Sequence, residues 1–409
     1  MLLCSQSSIA PTIPRDKAED ANPHVSPDPP SRPLLALVLV LVACAFSTVY
    51  ITQPVLPILQ TEFGVTPAMA SLSVSVVILG MATTTLPIGM LADRYPVRRL
   101  ILTGGCIVAG ASIVCATTGS FAVLIAMRLI QGAFIPALTT CTAAWLSRTL
   151  PPNALNVAMG TYVAATVAGG LGGRLLGGWV HPPLHWRYAF VSAGLALLGV
   201  TLLVTWRLRN SAPPARPPDA LVRVRALIVK RSQMLAQIAA FGAFGAFSTI
   251  FNYFPFYLSQ PPWSISTATI TSLYLVYVAG LVTGPLAGKL GNRWGNGTVM
   301  VGGALLLAVA LLFTVIVAIP VLIVSLIGLC AGFFAIHASA VGALNRNLSG
   351  DRGKANALYT LFYYVGGAAG IAIGGDLYTR FGWRGVLAVA LAMSLLPLGV
   401  GVAQWKVNE

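Results

Sequence analysis

The stretch YVAATVAGGLGGRLLGGWVHPPLHWR, residues 162–187, comes back in altered form as YTLFYYVGGAAGIAIGGDLYTRFGWR, residues 359–384. Tyr162, Gly169, Gly170, Gly173, Gly177, Gly178, Trp186 and Arg187 recur as Tyr359, Gly366, Gly367, Gly370, Gly374, Gly375, Trp383 and Arg384. Eight positions held in one register exceed what scattered glycines match by accident. Working outward, Gly89-Met90-Leu91-Ala92-Asp93-Arg94 echoes in Gly288-Lys289-Leu290-Gly291-Asn292-Arg293. Phe46-Ser47-Thr48, followed by Pro54, echoes in Phe247-Ser248-Thr249, followed by Pro255. Every offset is close to half of the 409 residues, so the chain reads as two copies of one unit.

Composition says where that unit lives. Hydrophobic residues make up 56% of the chain and charged ones 9%, with a mean hydropathy of +0.82. A soluble domain carries about 25% charged residues, so this chain cannot cover itself with a solvated surface. Apolar runs of the length that crosses hydrocarbon lie near 34–59, 68–92, 100–118, 120–146, 154–180 and 188–206. The second copy has them near 234–258, 267–287, 298–318, 320–344, 355–377 and 386–404. The expected fold is all-α, an integral membrane protein of twelve transmembrane helices in two pseudo-symmetric six-helix bundles. The expected domains are a disordered cytoplasmic tail at 1–33, a bundle at 34–206, a basic linker at 207–233 and a second bundle at 234–405. A duplicated apolar chain of this kind is the pattern of a secondary transporter that holds its solute between the halves.

Most of the 25 lysines and arginines fall in the tail, the linker and alternate loops, which places both termini in the cytoplasm by the positive-inside rule. The net charge of +15 is therefore a topology signal, and no nucleic-acid partner is expected. The six cysteines show neither a pairing pattern nor metal-ligand spacing. With four histidines and no converging acid, nucleophile and base, an integral-membrane enzyme is the remote alternative; no enzymatic activity, metal or cofactor is expected.

Three motifs carry the mechanism. Gly89-Met90-Leu91-Ala92-Asp93-Arg94, after span two, resembles the loop signature of the major facilitator superfamily (MFS). Arg128-Leu129-Ile130-Gln131-Gly132, in span four, is similar to that family's Arg-x-x-Gln-Gly pattern. In span five Gly160, Gly169, Gly173, Gly177 and Gly178 follow the glycine spacing of the antiporter signature, with Arg174 standing where that signature has Pro. The chain thus resembles bacterial inner-membrane members of the twelve-span drug/proton antiporter branch over about residues 34–405. The resemblance implies a conformational-switch role for Gly89, Asp93 and Arg94, and tight helix packing between the halves by the span-five glycines. It implies coupling or substrate handling by Arg128 with Gln131.

The bland readings stand beside these. Asp93 and Arg94 could be a charged topology stop, Arg128 could snorkel to the interface, and the glycines could serve packing alone. Arg174, a second intramembrane cation, is expected either to attract an anionic substrate or to pair with an acid such as Asp376 or Glu62. No carboxylate sits deep in a span, so Asp376 and His337 are the candidate proton carriers, the alternative for His337 being a hydrogen-bonded packing role. Tyr50 and Gln53 beside Pro54, with Asn252 and Tyr253 beside Pro255, are the substrate-lining candidates, set against an aromatic belt at the interface. Both prolines are expected to bend their helices and free carbonyls. The function expected is proton-coupled efflux of a small organic solute by alternating access, in the bacterial inner membrane, by a monomer. A sugar or organic-anion transporter, working in export or uptake, is the alternative.

Overall fold

A chain segment in hydrocarbon must satisfy its own backbone polar groups, and a helix does so within one crossing. The structure is a computed structural model and describes residues 31–208, 231–346 and 352–405. The expected tail and linker lie almost wholly outside the described residues, which are helical throughout apart from short connections.

Span one is broken. Helix α1 (Arg32–Val49) stops at Tyr50, a 3-10 turn (Gln53–Val55) carries Pro54, and α2 (Leu56–Phe63) completes the crossing. Then come α3 (Pro67–Ala92), α4 (Val97–Thr117), α5 (Phe121–Thr149), α6 (Pro152–Trp179) and α7 (Arg187–Arg207). The second half opens with α8 (Arg231–Ser259). Span eight is split into α9 (Thr267–Leu273), a 3-10 turn (Tyr274–Tyr277) and α10 (Val278–Trp294). The chain ends with α11 (Asn296–Phe313), α12 (Ile319–Arg346), α13 (Arg352–Phe381) and α14 (Trp383–Trp405). Starts and stops follow local chemistry. The Thr66 hydroxyl accepts from the Met69 N–H ahead of Pro67, and Ser266 does the same for Thr269. Gly64 ends α2 in the left-handed region, at φ 61°.

Eleven of the described spans are long and apolar enough to cross a membrane. The remaining one, α6, is long enough but is diluted by its glycines and by Arg174. Both features belong to the site below.

The duplication is visible in the packing. Pairs α1·α6, α3·α5, α4·α5 and α4·α7 in the first half correspond to α8·α13, α10·α12, α11·α12 and α11·α14 in the second. A Cβ on Gly169 or Gly173 would run into the α1 backbone at Ala43 or Ser47, and one on Gly177 into the backbone of Ile51 in the break just after it. On Gly366 or Gly370 it would meet the α8 backbone at Phe241 or Gly245, and on Gly374 the side chain of Thr249. That register pairs Ser47 with Gly245. The Phe-Ser-Thr triplets are therefore displaced from true equivalence by about one helical turn, and the residue matching Pro255 is Pro57. The paired-proline expectation fails accordingly: Pro54 sits in a break, whereas Pro255 lies inside an unbroken α8.

An even number of crossings brings α1 in and α14 out at the same end of the molecule. At the opposite end the halves touch. A Cβ on Gly178 of α6 would collide with Thr271 of α9, and one on Gly375 of α13 with Ala68 of α3. Trp179 donates to the Ser272 hydroxyl at 3.3 Å. Toward the termini α6 and α10 draw apart, while α3 and α13 keep an extended contact.

A cavity between the two halves

The separation of α6 and α10 leaves a cavity of about 450 Å³. It runs from Arg174, Tyr50 and Tyr277 at its depth to Gly160, Pro285 and Val341 toward the termini. The halves supply unlike walls. The second contributes Phe244, Phe247, Phe333, Phe334 and Tyr363, with Phe244 stacked on Tyr363 at 3.7 Å and Phe247 on Phe333 at 4.0 Å. The first contributes Phe46, Tyr50, small residues of α6, and the cation Arg174.

Arg174 is 4% exposed. Its guanidinium carbon stands 3.9 Å from the Tyr50 ring centroid and 4.4 Å from that of Tyr277, with Tyr274 at 5.6 Å. Nε donates to Gln53 Oε1 at 2.7 Å and Nη1 to the Gly170 carbonyl at 2.8 Å. The two breaks explain this geometry. The turn at 50–55 presents Tyr50 and Gln53, and the turn at 274–277 presents both tyrosines of span eight. The expected acid partner is corrected here. Glu62 accepts from Arg187 at 2.8 Å and from the Trp186 indole at 2.5 Å, at the closed end. Asp376 pairs with Arg380 at 3.0 Å, one turn along α13 on an exposed face, which also takes it out of the cavity as a proton carrier.

His337 lines the cavity, and its Nδ1 lies 2.9 Å from the Tyr359 hydroxyl. Arg128 does not line it. That side chain is 0% exposed and donates to the carbonyls of Thr48 (2.6 Å), Val49 (2.5 Å) and Ser73 (2.7 Å) and to Gln131 Oε1 (2.8 Å). Gln131 in turn donates to the Ser112 hydroxyl at 2.7 Å. Thr48 and Val49 are the last residues of α1, so the cation meets the negative end of that helix and holds its broken end open. Snorkelling is not what it does.

Asn252 and Tyr253 are likewise not brought to the cavity. Tyr253 is buried and donates to the Ile371 carbonyl at 2.9 Å. Asn252 is 0% exposed, and neither of its amide atoms has a partner among the described residues. The one-turn displacement of the triplets accounts for the misplacement, because it put these residues on the wrong register of α8. Gly160 is corrected too: a Cβ there would meet nothing within 4 Å, so it borders the cavity instead of packing. Only Gly178 of the five span-five glycines meets the other half; Gly169 and Gly173 pack on α1 and Gly177 on the break after it. Asp93 pairs with Arg148 at 2.7 Å, tying the end of α3 to the end of α5 beside an exposed Arg94. A Cβ on Gly89 would make only an ordinary contact, with the Thr140 methyl at 3.7 Å. Sequence reasoning offered Tyr363 as a weaker lining candidate, beside Asn345, Tyr359 and Tyr364, and missed the phenylalanines of the wall and Tyr277. No proline marks the break in span eight, and phenylalanines in an apolar span carry no positional signal.

Two bundles related by duplication, with one cavity between them, are matched by family-level similarity. The sequence profile of the Major Facilitator Superfamily matches residues 38–280 and 263–403. The chain belongs to this superfamily. It is 28% identical to the inner membrane transport protein YnfM of Escherichia coli over 87% of its own length and 86% of that protein's. It is also 28% identical to the MFS-type transporter YybF of Bacillus subtilis, over 86% of its length and 88% of the relative's. Among solved structures, a bacterial homolog of the human lysosomal transporter Spinster, in an inward-facing unoccupied conformation, superposes with a TM-score of 0.74 at 17% identity. That alignment covers 92% of this chain and 97% of the other. The nucleoside transporter NupG gives 0.72 at 15% identity, covering 92% and 100%. These likenesses carry the fold. The chain is an MFS membrane transporter.

Proposed function

We propose that this transporter exports a small organic solute from the cytoplasm across a bacterial inner membrane in exchange for protons. The observation that carries the reading is the cavity: one chamber between two rocking halves, sealed at the end away from the termini and extending toward them. With both termini cytoplasmic, as the basic loops favour, this chamber corresponds to the cytoplasm-facing state of an alternating-access cycle. The span-five glycine spacing favours antiport and hence export. In this reading His337, hydrogen-bonded to Tyr359 on the cavity wall, carries the proton, since a histidine is the side chain that changes charge near neutral pH. Gly89, Asp93 and Arg94 set the conformational balance at the cytoplasmic end. Tyr50, Gln53 and Arg174 handle the solute, and one copy of the chain suffices.

Everted membrane vesicles energised by respiration, loaded with a pH-sensitive dye, test this directly. Adding exported solutes from a panel of small aromatic and polar compounds should collapse part of the gradient only where the protein is present. His337→Asn should remove the response while leaving the protein in the membrane. Solute movement that persists unchanged with a protonophore would remove proton coupling from the account.

A further inference from the structure

We infer that the transported solute is an organic anion with a flat apolar body, its anionic group docking on Arg174 and its rings against the aromatic wall of the second half. This rests on the cavity being the transport site.

A guanidinium withdrawn from water inside a membrane is costly unless a counter-charge or a full set of acceptors meets it. Arg128 comes close to that set, with four protein oxygens for its five donors. Arg174 has the Gln53 and Gly170 oxygens and an interaction with the Tyr50 hydroxyl. That leaves part of a five-donor fork without an acceptor among the described residues. The acids of the described residues are Glu62, Asp93 and Asp376, and each is spent on another arginine away from the cavity. The rings of Tyr50 and Tyr277 stabilise the cation without neutralising it. The chamber therefore presents one fixed positive charge, already aimed, with open donors. A carboxylate or similar oxyanion supplies two acceptor atoms in the geometry that an arginine fork matches. A cationic solute entering the same chamber meets uncompensated repulsion, which sets this site apart from one built for cationic drugs.

The rest of the cavity fixes the solute's body. Phe244, Phe247, Phe333 and Tyr363 line the chamber from the other half as two stacked pairs, an aromatic wall against which a planar ring can pack. A volume of about 450 Å³ accommodates one or two fused or linked rings.

The test uses the purified full chain in detergent micelles and isothermal titration calorimetry with benzoate, 2-naphthoate and 4-phenylbenzoate. Each is compared with its primary amide and its amidine, which keep the shape and change the charge. The expected result is that carboxylates bind at least about tenfold tighter than their amides, with the amidines weakest. Arg174→Gln should cut carboxylate affinity about tenfold and move amide affinity less than about threefold. Arg174→Lys, which keeps charge and loses the fork, should fall between. The wild-type charge series needs no variant, so misfolding of Arg174→Gln cannot shelter the claim. Carboxylates that bind no better than amides, or a preference that survives Arg174→Gln, overturn it. Should amides or amidines bind well and discharge the vesicle gradient, the anion assignment falls while proton-coupled transport stands; silence from all three classes in the vesicles removes the transport reading itself.

Discussion

Arg128 and Arg174 are the same residue in the same bilayer with opposite fates, and the difference lies in acceptors. Arg128 has four of its five donors on oxygens of the surrounding helices, which argues for a structural role: it ties down the end of α1, next to the turn that presents Tyr50 and Gln53. Arg128→Ala should strand those buried carbonyls and cost on the order of 3 kcal/mol. That would be read as a lower melting temperature and a smaller yield of folded protein. Arg128→Lys should recover little, because an ammonium cannot span the same acceptors. A variant that melts like wild type but binds no solute would reverse this assignment. The sequence exposed both arginines, since a cation in an apolar run stands out. It could not separate them. Which oxygens surround a side chain depends on helices 50 or more residues away, as with Ser73 and Thr48 around Arg128.

At the scale of helices, α6 is legible as a stripe of glycines and its packing partner is not. Gly173 lets the α1 backbone approach so closely that any Cβ would enter the Ser47 carbonyl, whereas Gly160 borders open space. Gly173→Ala should therefore destabilise the first half by about 1–3 kcal/mol through forced separation of α1 and α6. Gly160→Ala should leave the melting temperature within about 1 °C of wild type, since surface-like changes without contacts stay near neutral. Equal effects at the two positions would contradict this division. Spacing alone gave both glycines one role, because periodicity identifies a face and not what lies opposite it. The same limit misplaced Asn252 and Tyr253. A triplet repeat one turn out of register looks as convincing as a true one, and only the collision partners of Gly169 and Gly366 reveal the correct alignment.

For the whole molecule, the duplication and the twelve spans were readable because hydrocarbon imposes length and apolarity on every crossing. The conformational state was not readable, since both ends of a cycle share one sequence. The closed end consists of two symmetry-related contacts, Gly178 against Thr271 and Gly375 against Ala68, with Trp179 on Ser272 alongside. Opening that end requires residues 179 and 272 to part. A Trp179→Cys/Ser272→Cys pair, bridged by a short bifunctional thiol reagent that replaces the reach of the indole, should cross-link and then retain binding from the termini side while losing transport. Full transport by the cross-linked protein would show that this end does not open during the cycle.

Each acid among the described residues is matched to an arginine of its own half: Asp93 to Arg148, Glu62 to Arg187, Asp376 to Arg380. No described ion pair crosses the divide; the described contacts across it are close helix packing, the neutral Trp179–Ser272 hydrogen bond and the buried Arg174 guanidinium over the Tyr274 and Tyr277 rings. Dissolved electrolyte screens charges and leaves such contacts untouched. The closed seam should accordingly hold from fresh water to brine, and the response of the cycle to the ionic surroundings should come from the exposed Asp93–Arg148 pair at the other end and from the cargo.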